Sequence, residues 1–191
     1  PSNDPAAAMI LSYGAFATGM VMRPIGGLLL GSIGDRLGRR LALQITVTLI
    51  AVPTFVIGLL PTYEVMGLWA PILLILLRML QGLAVGGEYS SSIVFMIERS
   101  PQNKRGLIGS FSPMGAFLGL LLGTAVCFIC LFILGKETMI EWGWRVPFLF
   151  SLVLSFYGVW LRKSISHEPS KTSRTRDQSP IRQVLRFHMR A

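Results

Sequence analysis

The chain has 191 residues, of which 52% are hydrophobic and only 14% are charged. A soluble domain carries roughly a quarter charged residues, so the composition argues against a water-soluble protein and indicates one embedded in a membrane. The formal net charge of +9 is high enough for binding to nucleic acid or to an anionic membrane surface. Because the basic residues lie in alternate loops and in the carboxyl-terminal tail, we expect a lipid bilayer and no nucleic acid as the partner.

Five apolar runs follow one another along the chain, and a helix needs about 20 mostly apolar residues to cross a bilayer. The sequence therefore predicts an all-α, polytopic membrane helical bundle over residues 1–161, with helices near 6–33, 41–60, 69–97, 107–134 and 143–161. Residues 162–191 hold eight lysines and arginines against two acidic residues. They are predicted to form a basic cytoplasmic loop, which is either disordered or contains a short amphipathic helix at the membrane surface.

The first run contains one arginine, Arg23, and two glycines, Gly27 and Gly31, that are four residues apart. Small residues at this spacing allow membrane helices to pack closely, and we expect this pair to contact a neighbouring helix. The fourth run carries a similar stripe, for which we expect the same: Gly115, Gly119 and Gly123. Arg23 is a candidate to bind a solute carboxylate. An internal ion pair that fixes helix packing, for example with Glu88, explains it equally well.

The third run is interrupted by five polar side chains: Arg78, Gln81, Glu88, Tyr89 and Ser92. At about 100° per residue, all five lie within an arc of about 100° of the helix circumference. A charged side chain at the bilayer centre costs about 2.5–3.5 kcal/mol on insertion scales, so these residues are predicted to face a water-filled solute pathway. The alternative is that Arg78 and Glu88 pair with neighbouring helices and have only a structural role.

The orientation in the membrane follows from the basic residues, which membrane proteins concentrate in their cytoplasmic loops. Lysine and arginine are frequent in the loops after the first and third runs and in the tail. They are absent from the amino-terminal residues and from the loop after the second run. This alternation predicts an amino terminus outside the cell and a carboxyl terminus in the cytoplasm.

Two charged motifs lie at the ends of these runs. The stretch GSIGDRLGRR resembles the loop between the second and third helices of the major facilitator superfamily, whose pattern is G-x-x-x-D-[RK]-x-G-[RK]-[RK]. Six residues match that pattern: Gly31, Asp35, Arg36, Gly38, Arg39 and Arg40. Glu98, followed seven residues later by Arg105, is similar to the E-x6-R signature at the end of helix four in the same superfamily.

The resemblance implies a transporter of twelve helices in two six-helix halves. This chain would correspond to helices two to six of the amino-terminal half, followed by the central cytoplasmic loop. The resemblance also implies that the two charged motifs act in gating, by forming and breaking contacts as the halves move. Further stretches, such as EWGWRVPF from Glu141 to Phe148, are similar to the metabolite–proton symporter family and, within it, to proline/glycine betaine permeases.

We therefore expect the chain to take part in proton-coupled symport of a small solute by alternating access in the bacterial inner membrane. The solute would be a proline- or betaine-like osmolyte or an organic acid. The proton would be the coupling ion, with Glu88 as the candidate to carry it, and we expect no cofactor and no enzymatic activity. The chain would be an inactive fragment whose partner is the missing carboxyl-terminal half. The alternative is a complete five-helix accessory or scaffold protein without transport activity.

Overall fold

The computed structural model describes residues 5–164, which are almost entirely helical and include no β-strand. Six α-helices follow in order: α1 (Pro5–Leu37), α2 (Arg39–Leu59), α3 (Tyr63–Met66), α4 (Trp69–Glu98), α5 (Arg105–Thr138) and α6 (Arg145–Ser164). A 3₁₀ helix, Gln102–Lys104, precedes α5, and a π-helical turn, Met139–Gly143, follows it. The basic tail beyond residue 164, including the predicted amphipathic helix, lies outside the described residues.

The helices have the length and composition of membrane spans. Four segments are long and apolar enough to cross a bilayer: Met9–Leu37, Leu41–Leu59, Trp69–Glu98 and Gln102–Gly143. The fifth apolar helix, Arg145–Gly158, is shorter, so its crossing remains a prediction. Large apolar side chains cover the outside of the bundle, and Phe132, for example, is 83% exposed. Lipid tails are as apolar as these side chains, so the surface suits hydrocarbon. The predicted all-α membrane helical bundle is confirmed.

Helix α4 lies at the centre of the bundle, where it packs against both α1 and α2, while α2 also packs against α6. The main apolar cluster joins α2 to α4 through Ile57, Leu60 and Leu77. Trp144 and Phe148 pack against this cluster from the region where α6 begins. Because lipid provides no hydrophobic driving force between helices, van der Waals contact within such clusters holds the bundle together.

The contact between α1 and α4 is made by backbone atoms rather than by interlocking side chains. A Cβ atom added to Gly82 would overlap the carbonyl group of Gly19, and one added to Gly86 would overlap that of Arg23. Gly26 of α1 meets the backbone of α4 in the same way. Because glycine has no Cβ atom, the main chains of the two helices approach to van der Waals contact.

Of the two glycines that the spacing in the first run indicated, Gly27 contacts α4, but the closest contacts are made by other glycines. Nothing lies within 4 Å of a Cβ atom placed on Gly31, and one on Gly27 would be 3.6 Å from a carbonyl oxygen of α4. Within the described residues, Gly115, Gly119 and Gly123 have no such atom within 4 Å, so their close packing against another helix stays a prediction. Spacing shows which residues share a face but not which helix covers it, and α5 has no buried residue.

Gly82→Ala is expected to separate α1 from α4, because the added methyl group would collide with main-chain atoms of α1. Overpacking of this kind costs about 1–3 kcal/mol, so the thermal unfolding temperature of the detergent-purified protein should fall. Gly119→Ala is the matched control, since the same methyl group meets open space on α5. Equal unfolding temperatures for the two variants would contradict the backbone contact between α1 and α4.

Candidate solute pathway

The polar residues of the third run lie on one side of α4, which is a single helix from Trp69 to Glu98. We call this set the polar stripe: Arg78, Gln81, Glu88, Tyr89 and Ser92. Its members are half-buried, except the tyrosine, which is 51% exposed. The remaining circumference of α4 carries the glycines that meet α1 and the buried residues that meet α2. The stripe is therefore the polar side of the central helix.

A chain of hydrogen bonds joins the part of the stripe nearer the start of α4 to α2. The Arg78 guanidinium donates from Nη1 to Oε1 of Gln81 over 3.2 Å. The Gln81 amide donates from Nε2 to Oγ1 of Thr54 over 2.7 Å, and the Thr54 hydroxyl donates to the carbonyl oxygen of Ile50 over 2.6 Å. Sequence analysis missed Thr54, because the period of α4 carries no information about which residue of α2 faces it.

A second polar contact joins the stripe to α5. The hydroxyl oxygens of Ser92 and Ser112 lie 2.7 Å apart, so one of them donates a hydrogen bond to the other. Ser112 was also missed by sequence analysis, for the same reason. The stripe thus makes hydrogen bonds to the two helices on either side of it, α2 at one level and α5 at another.

The two charged members of the stripe are far apart along the helix axis. Arg78 is the tenth and Glu88 the twentieth of the 30 residues of α4. At a rise of 1.5 Å per residue, their Cα atoms are separated by roughly 15 Å along the axis. The two charges therefore originate at different levels of α4, about three helical turns apart.

Arg23 packs on a different part of α4 from the stripe. Its side chain is exposed, and its carbonyl group faces Gly86 of α4. Gly86 lies about 160° around the helix from Glu88 but only about 60° from Tyr89, so the backbone of Arg23 meets α4 beside one edge of the stripe and far from Glu88. Its assignment to the solute pathway stays a prediction.

The first charged motif forms a very short connection between α1 and α2. Only Gly38 separates the two helices, with a φ of 101° that residues with a Cβ atom rarely adopt. Its amide donates to the carbonyl oxygen of Gly34 over 3.1 Å, and its own carbonyl accepts from Ala42 over 3.3 Å. Asp35 and Arg39 therefore lie in adjoining turns of the two helices, one before and one after this residue.

Arg39 connects this motif to the end of α4. Its Nη2 atom lies 2.6 Å from Oδ1 of Asp35 and 3.9 Å from Oε1 of Glu98. The side chains of Arg39, Asp35 and Glu98 are 22%, 35% and 57% exposed. Ion pairs at such exposure contribute about 0–1 kcal/mol. Breaking the two ion pairs therefore costs little free energy, and contacts that open and close as a gate require this.

The structure brings only part of the predicted gating set together. Glu98 pairs with Arg39 rather than with Arg105, which is exposed at the first residue of α5. Arg36 is exposed at the end of α1, and Gly31 lies one turn before the ion pair. The side chain of Arg40 lies outside what the structure describes. Within residues 5–164, no group of three histidine, cysteine or acidic residues is arranged to hold a metal ion.

Cysteine substitution tests whether the polar stripe faces water. Tyr89→Cys is expected to react with a small hydrophilic thiol reagent, because the reactive thiolate forms in water and not in hydrocarbon. Leu76→Cys is the matched control, since Leu76 is also 51% exposed but lies about 140° around α4 from Tyr89. The free thiols Cys127 and Cys130 are first replaced by serine. Equal labelling at both positions would rule out a water-filled pathway along the stripe.

Known proteins are similar to this chain over most of its length. The family model described as sugar (and other) transporter matches residues 2–165. The proline/betaine transporter of Salmonella typhimurium is 42% identical over 170 residues, which are 89% of this chain and 34% of the relative. The proline/betaine transporter of Escherichia coli K12 is 40% identical, with the same coverage.

A further relative is the glycine betaine/proline/ectoine/pipecolic acid transporter OusA of Dickeya dadantii. It is 41% identical over 170 residues, which are 89% of this chain and 34% of that protein. The chain thus spans about a third of the length of these relatives. No solved structure matches it.

Proposed function

This chain belongs to the sugar (and other) transporter family of the major facilitator superfamily, and from that premise we propose that it is part of a proton-coupled solute symporter. It is a multi-pass membrane protein whose relatives are transporters. The solute is a small zwitterion such as proline or glycine betaine, a class that the names of those relatives support. The symporter works by alternating access and needs no bound cofactor, because the proton is the coupling ion.

The observation that carries this proposal is the position of Arg78 on the polar stripe. Within the described residues, Arg78 donates to the neutral amide of Gln81 and forms no ion pair. A guanidinium has five N–H donors, and two of them match a carboxylate in parallel. A positive charge at this depth is costly without an anion or water beside it. The carboxylate that all these zwitterions carry is the anion that fits.

Glu88 is the proton carrier in this proposal. It lies on the same stripe but roughly 15 Å from Arg78 along α4, so the proton and the solute carboxylate bind at different depths. With the amino terminus of the chain outside the cell, Arg78 is in the outer half of α4 and Glu88 is in the cytoplasmic half. Solute entering from outside therefore reaches the guanidinium first.

The ion pairs of Arg39 form the cytoplasmic gate. They lie on the cytoplasmic side, where α1 and α4 end and α2 begins, and they link the α1–α2 connection to the last residue of α4. In the twelve-helix architecture of the superfamily, this surface faces the carboxyl-terminal half. We propose that half as the partner of this chain in the bacterial inner membrane, with the binding cavity between the two. Transport requires both halves.

Glu88→Gln is expected to abolish solute uptake driven by a pH gradient and to leave solute exchange intact, because exchange needs no release of the proton. The measurement compares gradient-driven uptake with exchange, both for labelled proline in membrane vesicles. The protein is expressed together with any coding sequence that adjoins these 191 residues in the gene. Glu64→Gln, in the exposed helix α3, is the control. If gradient-driven uptake by Glu88→Gln matches that of the unmodified protein, another group carries the proton.

Arg39→Ala separates a gating role from a structural role. The substitution removes both ion pairs, so the free energy of unfolding should change by no more than about 2 kcal/mol, while the uptake rate should fall because the gate no longer closes. Uptake in vesicles and thermal unfolding in detergent are measured side by side. Lys104→Ala, at an exposed position before α5, is the control. Unchanged uptake by Arg39→Ala would remove the network from the transport cycle.

A further inference from the structure

We propose that Gln81 and Thr54 are positioning residues that hold the guanidinium of Arg78 in the orientation that binds a solute carboxylate. Together they set the affinity for solutes that carry this group. The inference rests on the proposed role of Arg78 in solute binding. It adds a residue of α2 to a site otherwise built on α4.

The direction of each hydrogen bond follows from the donors available. A threonine hydroxyl has a single hydrogen, and Thr54 gives it to the carbonyl oxygen of Ile50 over 2.6 Å. The oxygen of Thr54 can then only accept a hydrogen bond. Gln81 must therefore turn its NH₂ group towards Thr54, at 2.7 Å, and its carbonyl oxygen towards Arg78, at 3.2 Å. Arg78 has only donors, so it requires the same orientation of the amide, and Thr54 holds the other end of that amide in place.

This arrangement leaves Arg78 ready to bind a carboxylate. Its Nη1 atom is engaged with Gln81, while Nη2 and Nε keep hydrogens that can be donated in parallel to two carboxylate oxygens. A free arginine side chain loses about 2 kcal/mol of rotamer entropy when it is fixed. The hydrogen bond to Gln81 already restricts Arg78 before the solute binds, so binding loses less side-chain entropy and the affinity is higher.

The link is separate from the packing that joins α2 to α4. That packing is made by the apolar cluster of Ile57, Leu60 and Leu77. Gln81 and Thr54 are only half-buried and lie beside the cluster, at the edge of the polar stripe. Loss of the hydrogen bonds should therefore free Arg78 without separating the helices.

The test measures the concentration dependence of labelled glycine betaine uptake by the protein expressed with any flanking coding sequence. Thr54→Val keeps the shape of the side chain but removes the hydroxyl, so the half-saturating concentration should rise about fivefold, the effect of one hydrogen bond. The maximal rate should stay the same. Thr54→Ser keeps the hydroxyl and should restore the original value. Thr48→Val is the matched control, because Thr48 lies on the same helix, is exposed and bonds only to Gln44 within its helix.

Choline supplies the decisive comparison, because it has the quaternary ammonium of glycine betaine and no carboxylate. Its potency as a competitor should be the same for Thr54→Val and the unmodified protein. Gln81→Met, which keeps the length of the side chain without its hydrogen bonds, should repeat the effect of Thr54→Val and replaces it if the valine variant does not fold.

Three outcomes would overturn the inference. The first is an unchanged half-saturating concentration in Thr54→Val and Gln81→Met. The second is an equal loss in Thr54→Val and Thr54→Ser, and the third is an equal loss of affinity for choline. Arg78→Gln distinguishes this inference from the proposed function. If Arg78→Gln raises the half-saturating concentration and Thr54→Val does not, only the positioning role fails. If Arg78→Gln has no effect, the proposed binding role of Arg78 fails as well.

Discussion

Backbone contact between α1 and α4 determines the rotation of the central helix about its own axis. Gly82 and Gly86 must face α1, since any side chain there would overlap its main chain. Once those two glycines are placed, the helical period turns Glu88 away from α1. Arg78 lies one turn before Gly82, and its carbonyl oxygen would be 3.0 Å from a Cβ atom on Gly19 of α1. The side chain of Gln81 then reaches α2. Two residues without side chains therefore set the direction in which Glu88 and Gln81 point, because a helix rotates as a rigid body.

Within the bundle, polar side chains are paired mainly by hydrogen bonds between neutral groups rather than by ion pairs. In hydrocarbon, an unsatisfied donor or acceptor costs several kcal/mol, and two contacts between the described helices avoid this cost by pairing hydroxyls and amides, although the buried hydroxyl of Ser91 has no partner. Ser92 bonds to Ser112, and Thr54 bonds to Gln81. The two described ion pairs of Arg39 lie instead at the exposed ends of the helices. Weak, water-accessible pairs at the ends and short neutral hydrogen bonds inside suit a bundle that must move at its ends and stay intact within.

The fold class and the polar stripe could be predicted from the sequence, because both depend on local patterns. Runs of apolar residues indicate helices long enough to cross a bilayer, and the helical period of α4 indicates which residues lie on the same side. The partners across helices could not be predicted in this way. Gly31 and Gly115 have the spacing of packing residues but contact no other helix among the described residues, while Gly82 and Gly86 form the contact with α1. Likewise Glu98 pairs with Arg39, 59 positions away in the numbering, rather than with Arg105. Tertiary arrangement decides these pairings, and no local period encodes it.

The single residue between α1 and α2 restricts how these two helices can move. With only Gly38 in the connection, and hydrogen bonds on both sides of it, the helix ends that it joins stay at a nearly constant separation. The remote ends have no such restraint from the connection. Any relative motion of the pair is then a pivot about this corner, in which small angular changes at Gly38 become displacements that grow in proportion to the distance along the helices.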